Sequence, residues 1–273
     1  MFRRPEPPTA PVWGRGRLLA VLGGAVAAVL LLVAGLALAV YYAVHPADRS
    51  GGAGATPAVP APPGPGGVRA RQDALAAAPM PSLGLAAALP APVTTRSPGI
   101  LVLPTAAGAG PAGVPTGFPR TPEGALAQLA ALDRVALQSG TLDGVRAVIA
   151  GWAAPGGPTP QSWSGVAAMA AFLSAAGLSG GGSPQLAVVA TPLMGLIKGQ
   201  VGDDFVVPCV DFEVDATLQQ TQRVAVAHCQ RMVWRDRRWV IGPGAEPARA
   251  PAAWPDTEAA LRVGYRDLRA GRR

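Results

Sequence analysis

From Leu18 to Val44 the chain carries no charged residue (LLAVLGGAVAAVLLLVAGLALAVYYAV), and nothing else in the sequence restricts its fold so strongly. At ~1.5 Å of rise per residue, about 20 such positions cross a ~30 Å hydrocarbon layer. Lipid offers backbone amides no partners, so the run is expected as one transmembrane helix, residues 18–44. Tyr41 and Tyr42 suit the far interface and Trp13 the near one. Arg3, Arg4, Arg15 and Arg17 precede the run and only Arg49 follows closely, which places residues 1–17 in the cytoplasm and the remainder outside. Ala37-Leu38-Ala39 has the form of a signal-peptidase site. The apolar stretch nevertheless outlasts the ~7–15 residues of a signal-peptide core, and an uncleaved anchor in the cell membrane is the expectation. Small-xxx-small spacings at Gly23/Ala27, Gly24/Ala28 and Gly35/Ala39 let helices approach closely and raise a homo-oligomer, although an Ala/Gly-rich helix produces them by composition alone.

Residues 45–119 are dense in proline, glycine and alanine (GGAGATPAVPAPPGPGG, PMPSLG, PTAAGAGPAGVPTGFP). Such a stretch holds neither a long helix nor a central strand and reads as a semi-stiff spacer. Two interruptions differ: Arg69 to Ala78 has the makings of about two helical turns, and Gly99-Ile100-Leu101-Val102-Leu103 of a lone strand, on a partner or on the domain itself.

Residues 120–273 carry regular patterns and form the expected extracytoplasmic domain. Thr121-Pro122-Glu123 combines an N-cap, a first-turn proline and a first-turn acid, and Leu126, Leu129, Leu132, Val135 and Leu137 follow at helical spacing. Leu142 to Trp152 and Ser164 to Ala176 read as second and third helices. After Pro184 the period becomes two. Gln185 to Val201 predicts a strand, or a pair broken near Pro192. Phe205 to Asp215 alternates, with Val206, Val210, Phe212 and Val214 on one face and Asp211, Glu213 and Asp215 on a solvated one. Arg223 to Arg235 and Arg237 to Ile241 continue the pattern, with Asp203-Asp204 as a hairpin turn. Trp254 to Glu258 predicts a closing helix capped by Asp256, with Leu261, Tyr265 and Leu268 on one face. The class is α+β: three helices packed on a curved antiparallel sheet.

The two cysteines test the strand register. A turn at Leu218-Gln219-Gln220 sets Cys209 opposite Cys229, Asp215 opposite Arg223, Phe212 opposite Val226 and Val214 opposite Val224. Charges then meet opposite charges and apolar groups meet apolar groups. An even cysteine count outside the cytoplasm makes this pair a disulfide, the alternative being two buried thiols.

Four stretches, GVPTGFPRTPEGALAQLAALD, SGGGSPQLAVVATPLMGLIKG, DFVVPCVDFEVDATL and WPDTEAALRVGYRDL, resemble an uncharacterised family of conjugative-element membrane proteins from high-GC Gram-positive bacteria. The layout of anchor, linker and α+β domain also resembles the nuclear-transport-factor-two-like domains of type IV secretion and conjugation scaffolds. Those domains enclose a cone between helices and sheet. The resemblance implies assembly through protein contacts with other membrane proteins of a transfer apparatus, and carries no catalytic residues or cofactors with it.

Motifs of common chemistry are missing from the sequence: it contains no P-loop, GxSxG, HExxH or CxxC. Of the two histidines, His45 sits at the membrane edge. His228 falls on the apolar face of its strand, opposite Val210, as a core histidine would. Trp152, Trp163, Phe172, His228, Trp234 and Trp239 are candidates to line a cone-shaped cavity, or simply to fill the core. The net charge of +7 rests on 23 basic residues, of which only Lys198 is lysine. They form no basic stripe interleaved with aromatics, so direct nucleic-acid binding is not expected. The sequence therefore favours a bitopic scaffold that is not an enzyme and takes no metal. The alternative is a membrane-anchored module binding a small apolar ligand.

Overall fold

Alternating side chains from Ala187 onward build a curled, mostly antiparallel sheet, and everything else packs against it. The structure is a computed structural model that describes residues 65–271, which belong to one unit of the chain. The apolar run Leu18–Val44 lies outside the described residues, as do residues 1–17 and 45–64. Among the described residues no helix is long and apolar enough to cross a membrane.

The elements, in order, are α1 (Pro65–Ala77), β1 (Ile100–Leu103), β2 (Gly108–Ala109), β3 (Pro115–Thr116), α2 (Pro122–Gln138), α3 (Leu142–Trp152), α4 (Ser164–Ala175), β4 (Ala187–Gln200), β5 (Phe205–Thr217), β6 (Thr221–Cys229), β7 (Met232–Arg235), β8 (Arg238–Ile241), α5 (Glu258–Val263) and β9 (Arg266–Ala270). The main sheet runs β1-β9-β4-β5-β7-β8, and β6 pairs with β5 beside β7. Two helix starts follow from their caps. The Thr121 hydroxyl accepts the Gly124 N–H at 3.0 Å, and the Thr141 hydroxyl accepts the Gly144 N–H at 3.1 Å.

β5 is buried along most of its length because both of its faces are covered. Val206, Val210, Phe212 and Val214 face α2, α3 and α4, and meet Leu126, Leu129, Leu132, Ile149 and Trp152. Burying each such large apolar side chain contributes roughly 1.5–3 kcal/mol. On the other face, Phe205 and Val207 pack under Ala76 of α1. Cys209 joins Met194, Ala250, Ala253, Ala260 and Tyr265 there.

This outer layer corrects the boundary expected at residue 120. Chain that reads as spacer is part of the domain: Ala76, Leu101, Val114 and Phe118 are buried, and Lys198 Nζ donates to the Ala76 carbonyl at 2.8 Å and to that of Ala78. Between its proline- and glycine-rich turns the segment carries α1, β1, β2 and β3, and side chains every few residues hold it down. The lone strand finds its partner within the domain, where β1 pairs in parallel with β9.

Of the two readings of Gln185 to Val201 the single strand holds, with irregularities between Pro192 and Met194 and between Ile197 and Gly199. Two further expectations change. Arg223 to Arg235 is two strands, because the chain breaks at Gln230-Arg231 and β7 moves on to pair with Phe205 and Val206. The closing helix is short. Thr257, not Asp256, caps it, with its hydroxyl accepting the Ala260 N–H at 3.3 Å. Gly264 at φ 95° then ends it. Tyr265 and Leu268 are thus not on its face, and Leu268 lies in β9.

Candidate functional site

The β5–β6 register pairs Cys209 with Cys229, Val210 with His228, Phe212 with Val226, Val214 with Val224 and Asp215 with Arg223. Cys209 and Cys229 form a disulfide on the outer face of the sheet. The Arg223 guanidinium bridges Glu213 and Asp215, so those two carboxylates are engaged at the surface.

His228 projects to the helical side. Its Nδ1 lies 3.0 Å from both carboxylate oxygens of Asp133 on α2, and its ring centroid is 6.0 Å from that of Trp163. Burial of the ring works against the charged form. The charge and hydrogen bond of Asp133, with Glu246 adding to them, outweigh it and leave the pKa above the ordinary imidazole value. Nε2 of His228 and the indole nitrogen of Trp163 are buried without partners. The pair can store a proton, but a general base must reach its substrate, and this nitrogen lies beneath the surface. Asp133 has a legible signal. It continues the series Leu126, Leu129, Asp133, Ala136 on the buried face of α2, where an acid calls for a partner.

Asp211 overturns the solvated face expected for Asp211, Glu213 and Asp215. It is 0% exposed. It sits on the same face as Cys209, under the outer layer, and neither of its oxygens has a hydrogen-bond partner of good geometry. Burial pushes its carboxyl up to about 8, and the Ala253 N–H pulls the other way without reversing this. Tyr265 packs into the same outer cluster, donates its hydroxyl to the Pro251 carbonyl at 3.0 Å, and is itself pushed up by burial and by the charge of Asp211.

The two clefts described below are not lined by the residues proposed to line a cone. Trp152 is buried, with its indole N–H on the Pro111 carbonyl at 3.0 Å. Phe172 is half-buried against the same core, and Trp234 meets Trp239 edge-on at 5.4 Å. Among the six, Trp163 meets His228 and Trp234 meets Trp239 as ring pairs.

One cleft of about 270 Å³ is walled by Arg69 and Asp73 of α1, by Arg231 and by Glu246. Its charges are largely spent internally: Arg231 pairs with Asp73 at 2.7 Å, and Glu246 accepts the Ser164 N–H at 2.9 Å at the start of α4.

A second cleft, of about 290 Å³, opens where the sheet splits. β9 pairs with β4 only at Met194 and Gly195, so β4 from Ala187 to Leu193 has β5 on one side and no strand on the other among the described residues. Ala127, Ala130 and Ala131 of α2 cover the gap. Pro192, Leu268 and Phe118 line it, and Arg134 and Arg269 stand exposed at its edge. Arg134 was not a candidate from sequence; its spacing from Ala127, Ala130 and Ala131 at i, i+3, i+4 and i+7 is the signal that places it on their face.

A second open edge lies at β1. The Asp267 N–H donates to the Gly99 carbonyl at 3.0 Å and the Gly271 N–H to that of Leu103 at 2.7 Å. The backbone groups of Ile100 and Val102 therefore point away from β9. Both side chains are exposed, Val102 by 55%. No family model, curated protein or solved structure matches this chain.

Proposed function

We propose that this chain is a single-pass membrane protein, N-terminus in the cytoplasm, whose outer domain is a non-enzymatic scaffold of a conjugative DNA-transfer or type IV secretion-like apparatus. In this reading the domain is nuclear-transport-factor-two-like, residues 18–44 are the anchor, and the partners are the bilayer and other membrane proteins of the apparatus, a second copy among them. The observation that carries the reading is the pair of strand edges with no further strand beside them among the described residues: β1, with Ile100 and Val102 exposed and the Ile100 carbonyl held by the Arg266 guanidinium, and the first half of β4, with Val189 exposed. An open apolar edge offers main-chain donors and acceptors to another chain, and proteins that do not use such edges usually blunt them. Two of the acids that would otherwise suggest chemistry are engaged within the fold, Asp133 on His228 and Asp73 on Arg231.

The test is site-specific photocrosslinking of the full chain in its native membrane, with the crosslinker at Val102, at Val189 and at exposed Arg237 as a control. Crosslinks from the two edge positions to defined subunits of a transfer machinery, absent at the control, are the expected result. Edge positions that react no more than the control overturn the reading. A ligand-binding module is the alternative, and it would leave all three positions silent while a small apolar compound raises the domain's thermal stability.

A further inference from the structure

We infer that the cleft between β4 and β9 is a docking site for an extended acidic peptide segment of a partner, which adds as a strand to the open half of β4. The inference deepens the scaffold reading and rests on it. Three observations converge. The first is the split in the sheet: β9 pairs with β4 only at Met194 and Gly195, so Ala187 to Thr191 keeps an edge without a strand partner among the described residues, leading up to Pro192, which lines the cleft. A strand placed there would extend the ladder at the usual ~4.8 Å spacing.

The second observation is the wall. Ala127, Ala130 and Ala131 put only methyl groups over the gap, and Pro192 and Leu268 continue an apolar lining able to receive one side chain of the incoming strand.

Charge is the third. Arg134 and Arg269 stand at the cleft with no ion-pair or hydrogen-bond partner among the described residues, and no acidic residue lines it. Some arginines elsewhere on this surface are spent on carboxylates, Arg120 on Asp204, Arg96 on Glu258 and Arg223 on Glu213 and Asp215; these two are not. Two unopposed guanidinium groups favour carboxylates of the occupant. The strand edge distinguishes a peptide from a small anionic amphiphile, which has no use for a row of backbone groups.

The experiment uses the full chain in detergent and three probes: a labelled soluble decapeptide alternating valine and glutamate, the same peptide with lysine for glutamate, and dodecanoate as competitor. The acidic peptide is expected to bind, to weaken as salt rises, and to crosslink to a photoreactive residue at Val189. Arg134→Glu and Arg269→Glu each weaken it by about tenfold, the loss of a charge-assisted contact. Both side chains are exposed, so the variants keep the fold. Equal binding of the two peptides overturns the inference, as does unchanged affinity in the double variant. It also falls if dodecanoate displaces the peptide with no crosslink at Val189, which marks a small-molecule site, or if the only complex is a second copy. Failure here with native-membrane crosslinks still formed at Val102 removes this site and leaves the scaffold reading standing. Peptide binding with no crosslinks in the native membrane does the reverse.

Discussion

Replacing Asp211 by asparagine isolates an electrostatic penalty built into the outer layer. The carboxyl is 0% exposed, and burial raises it from 3.8 to about 8. The unfolded chain releases this proton near pH 4 and the folded one near pH 8, so folding takes up a proton between those limits. Stability contributed by the neutral acid is complete below the unfolded value and is lost as pH climbs towards the folded one. Each pH unit inside the window costs about 1.4 kcal/mol, so the two units from pH 5 to pH 7 cost about 3 kcal/mol. Asp211→Asn keeps the shape and has no charge to lose. Denaturant unfolding of the full chain, disulfide intact and followed by tryptophan fluorescence, gives both stabilities. Other titrating groups cancel in the difference between the two proteins, which is expected to shift in favour of the variant by about 3 kcal/mol between pH 5 and pH 7. A difference that stays flat across that range would refute the buried, neutral carboxyl.

His228 runs with the opposite chemistry. Its pKa is raised on the balance of opposing burial and the favourable Asp133 contact, so the stability it adds is full below the unfolded imidazole value and fades as pH rises through the folded one. Asp133→Asn is expected to lower the His228 midpoint in an NMR titration and to destabilise the domain by about 1–3 kcal/mol, more at pH 5.5 than at pH 8. Breaking the Cys209–Cys229 bridge, which closes a sequence separation of 20, is expected to cost about 3 kcal/mol of unfolding free energy on reduction. Tyr265→Phe removes the hydrogen bond to the Pro251 carbonyl and is expected to lower stability by about 1 kcal/mol in the same denaturant assay.

The strands were legible because two independent periodicities agreed. Alternation set the faces of β5 and β6, and the cysteines and charges set their register, down to Asp215 opposite Arg223. The caps at Thr121 and Thr141 made two helix starts equally readable. What was not legible depends on chain that has no pattern of its own. Alternation implies one wet face, and Asp211 is dry only because residues from the Pro/Gly-rich stretch and from Ala250 to Tyr265 lie over it. The same holds for β9: Arg266–Ala270 follows the short α5 directly, and nothing local announces a strand whose partner is β1. The cleft was invisible for a related reason, since it arises from where β9 stops following β4.

The β1–β9 pairing also sets an order of events. Arg266 reaches the Ile100 carbonyl across a sequence separation of 166. Loop closure over such a distance has to follow the local hairpins. In a chain that emerges N-terminal end first, Ile100–Leu103 is exposed from early on and stays without a neighbour until Arg266–Ala270 arrives. The sheet margin beside the cleft is therefore the last part of the domain to close. While the chain is being made, chaperones would have their longest opportunity there.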